Sequence, residues 1–207
     1  MANRPSADLR PPADLRILPL DERHDRCGFA CGVESLDRYL KTQAGQDVRR
    51  KANAVFVLSA TAEPERVLGY YTLCAMAIAQ GEVPEAARKH VPRYPLVSCT
   101  LIGRLAVAKD RQGQGLGSIL LADALQHAFE SAGIVGSSMV IVDALDEAAV
   151  NFYAAHGFVR LPDSLRLVLP MRQAGAGYER FPALPPASPA SSGRVAKQKT
   201  APKDRSE

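Results

Sequence analysis

Between Asp110 and Ser118 the chain reads D-R-Q-G-Q-G-L-G-S, and here residue types and spacing speak most directly of chemistry. The segment separates a β-rich apolar run, 100–107, from a stretch with leucines at helical spacing. A glycine-rich turn opening a helix aims backbone N–H groups outward, and the partial positive charge there favours a phosphate. Glycine lets a ligand approach the backbone closely. Two common phosphate patterns do not fit. The Walker pattern needs a lysine that is missing here, and G-x-G-x-x-G begun at Gly113 needs glycine where the chain has Ser118. The pattern that does fit is Q-x-x-G-x-G, on Gln112, Gly115 and Gly117.

The elements around this turn follow from periodicity. Strands are expected at 15–20, 54–60, 67–79, 100–107 and 139–144, with a closing pair at 158–159 and 166–169. The runs 54–60 and 67–79 flank a polar turn at Glu63-Pro64 and read as a hairpin. Val33, Leu36, Leu40, Ala44 and Val48 place one helix over 33–48. Leu116, Leu120, Leu121, Ala124, Leu125 and Ala128 share a face of a helix over 115–132. A third helix covers 146–156, with Asp146 set to cap it and Gly157 to end it. One helical turn is expected near 84–90 in a Pro-rich connection. Strands first, then alternating strand and helix, predict an α/β (α+β) fold with a mixed central β-sheet flanked by helices.

Composition narrows the classes. The chain has 207 residues and an ordinary globular mix, 46% hydrophobic and 23% charged. No apolar run approaches the roughly 20 residues of a membrane span. Residues 1–12 lack the apolar core of a secretory signal. Cys27, Cys31, Cys74 and Cys99 offer no C-x-x-C pair and no histidine cluster completes a site, so we expect no metal and free thiols in a reducing cytoplasm. The net charge of +4 resides wholly in 172–207, where seven Lys or Arg face three acids; residues 1–171 carry nineteen of each sign. That stretch is rich in Pro, Ala and Ser and is expected to be disordered, and 1–14 to be flexible, leaving a domain at 15–171.

The Q-x-x-G-x-G turn, the strand before it, and N-F-Y-A-A-H-G-F at 151–158 together resemble the GNAT N-acetyltransferases. A narrower resemblance, to the tRNA-acetylating GNAT toxins of bacterial type II toxin–antitoxin systems, rests on five further segments. These are F-A-C-G-V-E-S-L-D-R-Y-L at 29–40, V-L-G-Y-Y-T-L at 67–73, P-R-Y-P at 92–95, G-R-L-A-V at 103–107 and V-D-A-L-D at 142–146. It covers about 15–171.

The resemblance implies acetyl-CoA as co-substrate. Arg111, Gln112, Gly113, Gln114, Gly115, Leu116, Gly117 and Ser118 would take its pyrophosphate, the strands at Leu105, Ala106, Val107 and at Val142, Asp143 its pantetheine arm, and Asn151 would also contact the cofactor. Tyr153 falls where such enzymes keep a tyrosine near the CoA sulfur. A phenol of pKa about 10 gives a proton to a free thiolate of pKa about 8.5 only uphill, by roughly 2 kcal/mol. Tyr153 therefore donates to the more basic sulfur of the collapsing intermediate. No general base stands out among His24, His90, His127 and His156. The α-amino group of an aminoacyl ester is more acidic than a lysine and is partly neutral near pH 7, so a base is dispensable.

The acceptor implied by the resemblance is aminoacyl-tRNA, whose acetylation blocks translation. Two basic runs, Arg49-Arg50-Lys51 and Arg88-Lys89 with Arg93, could grip its phosphates. The implied partner is a ribbon-helix-helix antitoxin, through which the pair would repress its own operon by binding operator DNA. A homodimer is compatible with the family, and no membrane role is expected. The residues also leave open a small amine or protein as acceptor, and a module that binds CoA or a partner without catalysis.

Overall fold

The computed structural model describes residues 14–172. The expected tail, apart from its first residue, and all but the last residue of the expected flexible N-terminus lie outside them. The strands are β1 (Leu15–Pro19), β2 (Ala54–Ala60), β3 (Gly69–Ala79), β4 (Leu96–Val107), β5 (Met139–Asp143), β6 (Val159–Arg160) and β7 (Arg166–Pro170). The helices are α1 (Glu34–Thr42), α2 (Ala44–Arg50), α3 (Glu85–Arg88), α4 (Leu116–Val135) and α5 (Glu147–Ala155). The strands form one sheet in the order β1-β2-β3-β4-β5-β7-β6. The first four are antiparallel neighbours; β4 and β5 are parallel, joined by the α4 crossover.

The alternation of β3 sorts the covering helices. Tyr71 and Leu73 point to one face, where they pack with Leu120, Leu121, Ala124 and Ala128 of α4 and with Val150 and Tyr153 of α5. Tyr70 points to the other face and packs with Tyr39, Leu40 and Ala44 of α1–α2. Ile78, of the same parity as Tyr70, packs with Ala87 of α3 and with Val91. So α4 and α5 cover one face, and α1–α2 and α3 cover the other at two ends of β3.

The single helix expected over 33–48 is two helices. Its axis breaks at Gln43 (φ −112°, ψ −38°). The Thr42 hydroxyl donates to the Arg38 carbonyl at 2.8 Å, a bond that bends helices, and Gly45 follows directly, packed against Arg26. Strand β4 begins at Leu96, four residues before the expected start. There it alternates exposed Leu96 and Ser98 with buried Val97 and Cys99. Helix α4 runs past Gly133 to Val135 and is closed by Gly136 at φ 75°.

Asp146 does cap α5, its Oδ1 accepting from the Ala149 N–H at 2.8 Å. Gly157 follows at φ 91°, conformationally suited to end the helix. Among the described residues no helix is long and apolar enough to cross a membrane.

Candidate active site

Strands β4 and β5 pair from Cys99–Met139 to Ile102–Val142. β5 ends one residue later at Asp143, whereas β4 continues to Val107. Residues 103–107 are then held by β3 alone, with Tyr71 opposite Leu105 and Tyr70 opposite Ala106. The strands part at a bulge: Thr72 faces Arg104 and Leu73 faces Ile102, leaving Gly103 as the extra residue. The backbone of Leu105, Ala106 and Val107 thus lines a cleft between two diverging parallel strands.

The cleft leads into the glycine-rich turn. Gly113 (φ 75°) and Gly115 (φ 78°) are both left-handed, and a Cβ at either would meet no atom within 4 Å. Glycine is required there for its backbone freedom rather than for space. From Gln112 to Gly117 no backbone N–H meets an acceptor among the described residues; the first to do so is that of Ser118, on Gly115 O at 3.1 Å. A row of free N–H donors at the N-terminus of a 20-residue helix is an anion cradle. The Gln112 side chain pins it, its Nε2 donating to Val107 O at 3.1 Å and Cys31 O at 2.9 Å. Gln114 bonds only weakly to Asp110 O, at 3.5 Å. Arg111 is half-buried, 3.8 Å from the Asp110 carboxylate.

Tyr153 sits on the buried side of α5, edge-on to Phe152 and Phe158 at ring distances of 5.1 and 5.5 Å. Burial pushes its pKa up to about 12, so the phenol holds its proton. Its hydroxyl has no hydrogen-bond partner among the described residues. The ring is buried, while the hydroxyl at its tip has nothing in the described chain to donate to. Asn151, on the same helix, is exposed and likewise unpartnered among the described residues. The Asp143 carboxylate is held by Arg166 at 2.6 and 3.1 Å; the Ala144 N–H bonds Leu165 O across β5–β7, so by alternation the Asp143 backbone groups turn away from β7, toward the β4 side.

Two connections escaped sequence reasoning. His156 bridges the helices, with Nδ1 2.7 Å from Phe152 O and Nε2 3.1 Å from the Ser118 hydroxyl. It fastens the helix that carries Tyr153 to the start of α4. His127, half-exposed, meets the buried Tyr71 and Asp123, the Tyr71 hydroxyl donating to Asp123 at 2.5 Å. Burial raises the Asp123 pKa and drives that of Tyr71 well up. Asp123 and His127 stand four apart on α4, a spacing the sequence displays, but Tyr71 joins them from β3 and Ser118 reaches His156 from another helix, and only the fold could reveal those two links.

The basic runs are exposed on the face covered by α1–α2 and α3. Arg49 and Arg50 end α2, and Lys51 caps it in a left-handed conformation at φ 56°. Lys89 and Arg93 extend beyond α3. The Arg88 guanidinium instead turns back on its own connection, donating to Val83 O at 2.9 Å and Gly81 O at 3.2 Å.

A sheet whose parallel strands part beside an anion-binding turn, with a buried and unpartnered phenol on the neighbouring helix, defines a CoA-dependent acyltransferase fold. Residues 29–158 match the acetyltransferase (GNAT) family, and the chain belongs to it. It is 34% identical, over 76% of its length and 92% of the relative's, to the tRNA-acetylating toxin of Mycobacterium tuberculosis. Its structure is similar to that of AtaT complexed with acetyl-methionyl-tRNAfMet: TM-score 0.72, 32% identity, 79% of this chain and 98% of the other. It is also similar to a Tyr-to-Phe mutant of AtaT bound to acetyl-CoA and the C-terminus of the antitoxin AtaR: TM-score 0.67, 29% identity, 79% and 97% covered.

Proposed function

We infer that the protein is a toxin that transfers acetyl from acetyl-CoA to the α-amino group of aminoacyl-tRNA and so inhibits translation. The observation that supports this reading is the Tyr153 phenol, unpartnered among the described residues and packed in one core cluster with Ile102 and Val142, the last paired residues of β4 and β5, in a fold similar to that of AtaT complexed with acetyl-methionyl-tRNA. The free N–H groups at 112–117 would take the pyrophosphate of acetyl-CoA. The backbone of Leu105, Ala106 and Val107, with that of Asp143, would hold the pantetheine arm. The cleft fixes the thioester against the incoming amine, and positioning of this kind is worth several kcal/mol. A backbone N–H near Leu105 would stabilise the developing oxyanion. The neutral α-amine attacks the thioester carbon and its nitrogen gives up one proton to solvent; the C–S bond breaks as the intermediate collapses, Tyr153 donates to the departing sulfur, and the phenol regains its proton from solvent.

We take 15–171 as the catalytic domain and the cytoplasm as its compartment. Arg49, Arg50, Lys51, Lys89 and Arg93 are assigned to phosphate contacts, with Arg88 shaping the connection that carries two of them. The partner would be a ribbon-helix-helix antitoxin, with operator DNA reached only through it, and a homodimer is compatible with these roles. The deciding measurement is transfer of radiolabelled acetyl from acetyl-CoA to bulk charged tRNA. Label on charged tRNA, lost on deacylation, is expected; label only on small amines or proteins overturns the reading.

A further inference from the structure

The face of the sheet away from α4 and α5 has a floor between its two covers, where β3 presents Thr72 and Cys74 and β4 presents Leu101 and Arg104. The bulge sets this arrangement. With Gly103 as an extra residue, Arg104 stays on the same face as Ala106, while Leu105 and Val107 turn toward α4. A Cβ at Gly103 would come within 3.2 Å of the Thr72 hydroxyl, which is buried and has no partner among the described residues. A bulge at glycine is what this crowding permits.

Arg104 is half-buried, its guanidinium carbon 3.6 Å from the centroid of the Tyr39 ring. That ring is itself fixed: the Tyr39 hydroxyl donates to Asp47 Oδ2 at 2.9 Å, and Asn53 Nδ2 donates to the same oxygen at 2.8 Å. Arg104 makes no ion pair among the described residues. Arg66, Arg160 and Arg166 do, with Asp110, Glu147 and Asp143. A half-buried guanidinium stacked on a ring keeps its in-plane N–H fork free, and that fork matches the oxygens of a phosphate. Arg104 is also the residue immediately before Leu105, where the cleft brings the thioester.

We propose that Arg104, seated on Tyr39, is the subsite for the terminal phosphodiester of the acceptor's 3′ end, and so positions the aminoacyl group at the cleft. This rests on the aminoacyl-tRNA reading above. The terminal phosphate is joined through a single ribose to the ester that bears the amine. A cation one residue from the reacting backbone is therefore at the right range, whereas the rim residues at 49–51 and 89–93 would meet phosphates further along the strand. Arg104 is a positioning residue: it holds the acceptor and takes no part in the proton transfers.

The test uses the full-length chain and two minimal acceptors, an aminoacyl-adenosine without phosphate and an aminoacyl-cytidylyl-adenosine that carries one internucleotide phosphate. The readout is the ratio of their kcat/KM values. The unaltered protein is expected to prefer the dinucleotide by about 10-fold or more, the scale of one charge-assisted contact. In Arg104→Gln the ratio should fall toward one, and Arg104→Lys should restore part of it, a point charge replacing the fork. Acetyl-CoA affinity, measured alongside, reports on folding. Equal loss on both acceptors would mean that Arg104 only packs against Tyr39, and would overturn the proposal, as would an unchanged ratio or no preference in the unaltered protein. Absence of transfer to charged tRNA by the unaltered protein would instead overturn the aminoacyl-tRNA reading.

Discussion

On one face of the sheet, α4 and α5 build the side we assign to acetyl-CoA, the donor side, from a turn at 112–117, the helix it opens, and Tyr153 on the next helix. On the other face, α1–α2 and α3 frame the side we assign to the acceptor, from residues far apart: Tyr39, Thr72, Arg104 and the two basic runs. The donor side offers backbone groups at the start of a helix whose Leu120, Leu121, Ala124 and Ala128 are wholly buried. The acceptor side depends on a half-buried Arg104, seated on a buried Tyr39, and on basic runs that are exposed. The difference matches the ligands. Acetyl-CoA presents one invariant pyrophosphate, which backbone N–H groups read well. A nucleic acid strand is gripped through many separated charges, each worth little and each screened by salt.

That contrast can be broken experimentally, and the largest effect belongs to Tyr153. Tyr153→Phe should lower kcat about 100-fold or more, within the range of general acid catalysis, with acetyl-CoA affinity nearly unchanged. Equal turnover would remove Tyr153 from the chemistry. With its pKa raised to about 12, Tyr153 stays protonated well above pH 10. Titration of this residue should therefore produce no fall in kcat below about pH 11. The linked stability has a definite sign. The folded state holds the Tyr153 proton more tightly than the unfolded chain, whose tyrosine titrates near pH 10. The contribution is complete below about pH 10 and is lost as pH rises to about 12.

Next come the rims. Replacing Arg49, Arg50 and Lys51 by Ala should weaken charged-tRNA binding about 10-fold at low salt. The plot of log Kd against log salt should flatten by roughly 0.7 for each phosphate no longer neutralised. Acetyl-CoA affinity should not move. An unchanged slope would return the run to ordinary solvated surface. Gly115→Ala tests the opposite side. Forcing an alanine to φ 78° costs roughly 1–2 kcal/mol. We expect acetyl-CoA affinity to fall about 5- to 30-fold, with the salt slope on tRNA intact. The smallest effect is Asp146→Ala, which removes the cap of α5 for about 1 kcal/mol. Thermal unfolding should shift down by about 2–4 °C, with only a slight loss of turnover.

Much of this was legible without coordinates. Strand 54–60 emerged with its expected ends, because a β-branched run bounded by turn residues carries its own limits. The cap at Asp146 and the stop at Gly157 follow from local rules that hold in any context. Where expectation missed, a local side-chain bond or a tertiary contact had overridden the apolar pattern. The Thr42 hydroxyl and the packing of Gly45 on Arg26 split a helix whose apolar spacing was continuous. The first four residues of β4 alternate too weakly to announce a strand, yet pair with Ala79, Ile78, Ala77 and Met76 across the hairpin.

By itself the sequence determined the order of strands and helices, the glycines that allow a left-handed turn before α4, and the tyrosine on the last helix. Each depends on interactions between near neighbours, which composition and spacing record. Only the tertiary structure decided that β4 and β5 part at Ile102, that the bulge at Gly103 turns Arg104 onto Tyr39, and that His156 ties α5 to Ser118. Those contacts join residues tens of positions apart. They exist because the buried faces of the sheet permit one register, and no local pattern can encode a register that is chosen by packing.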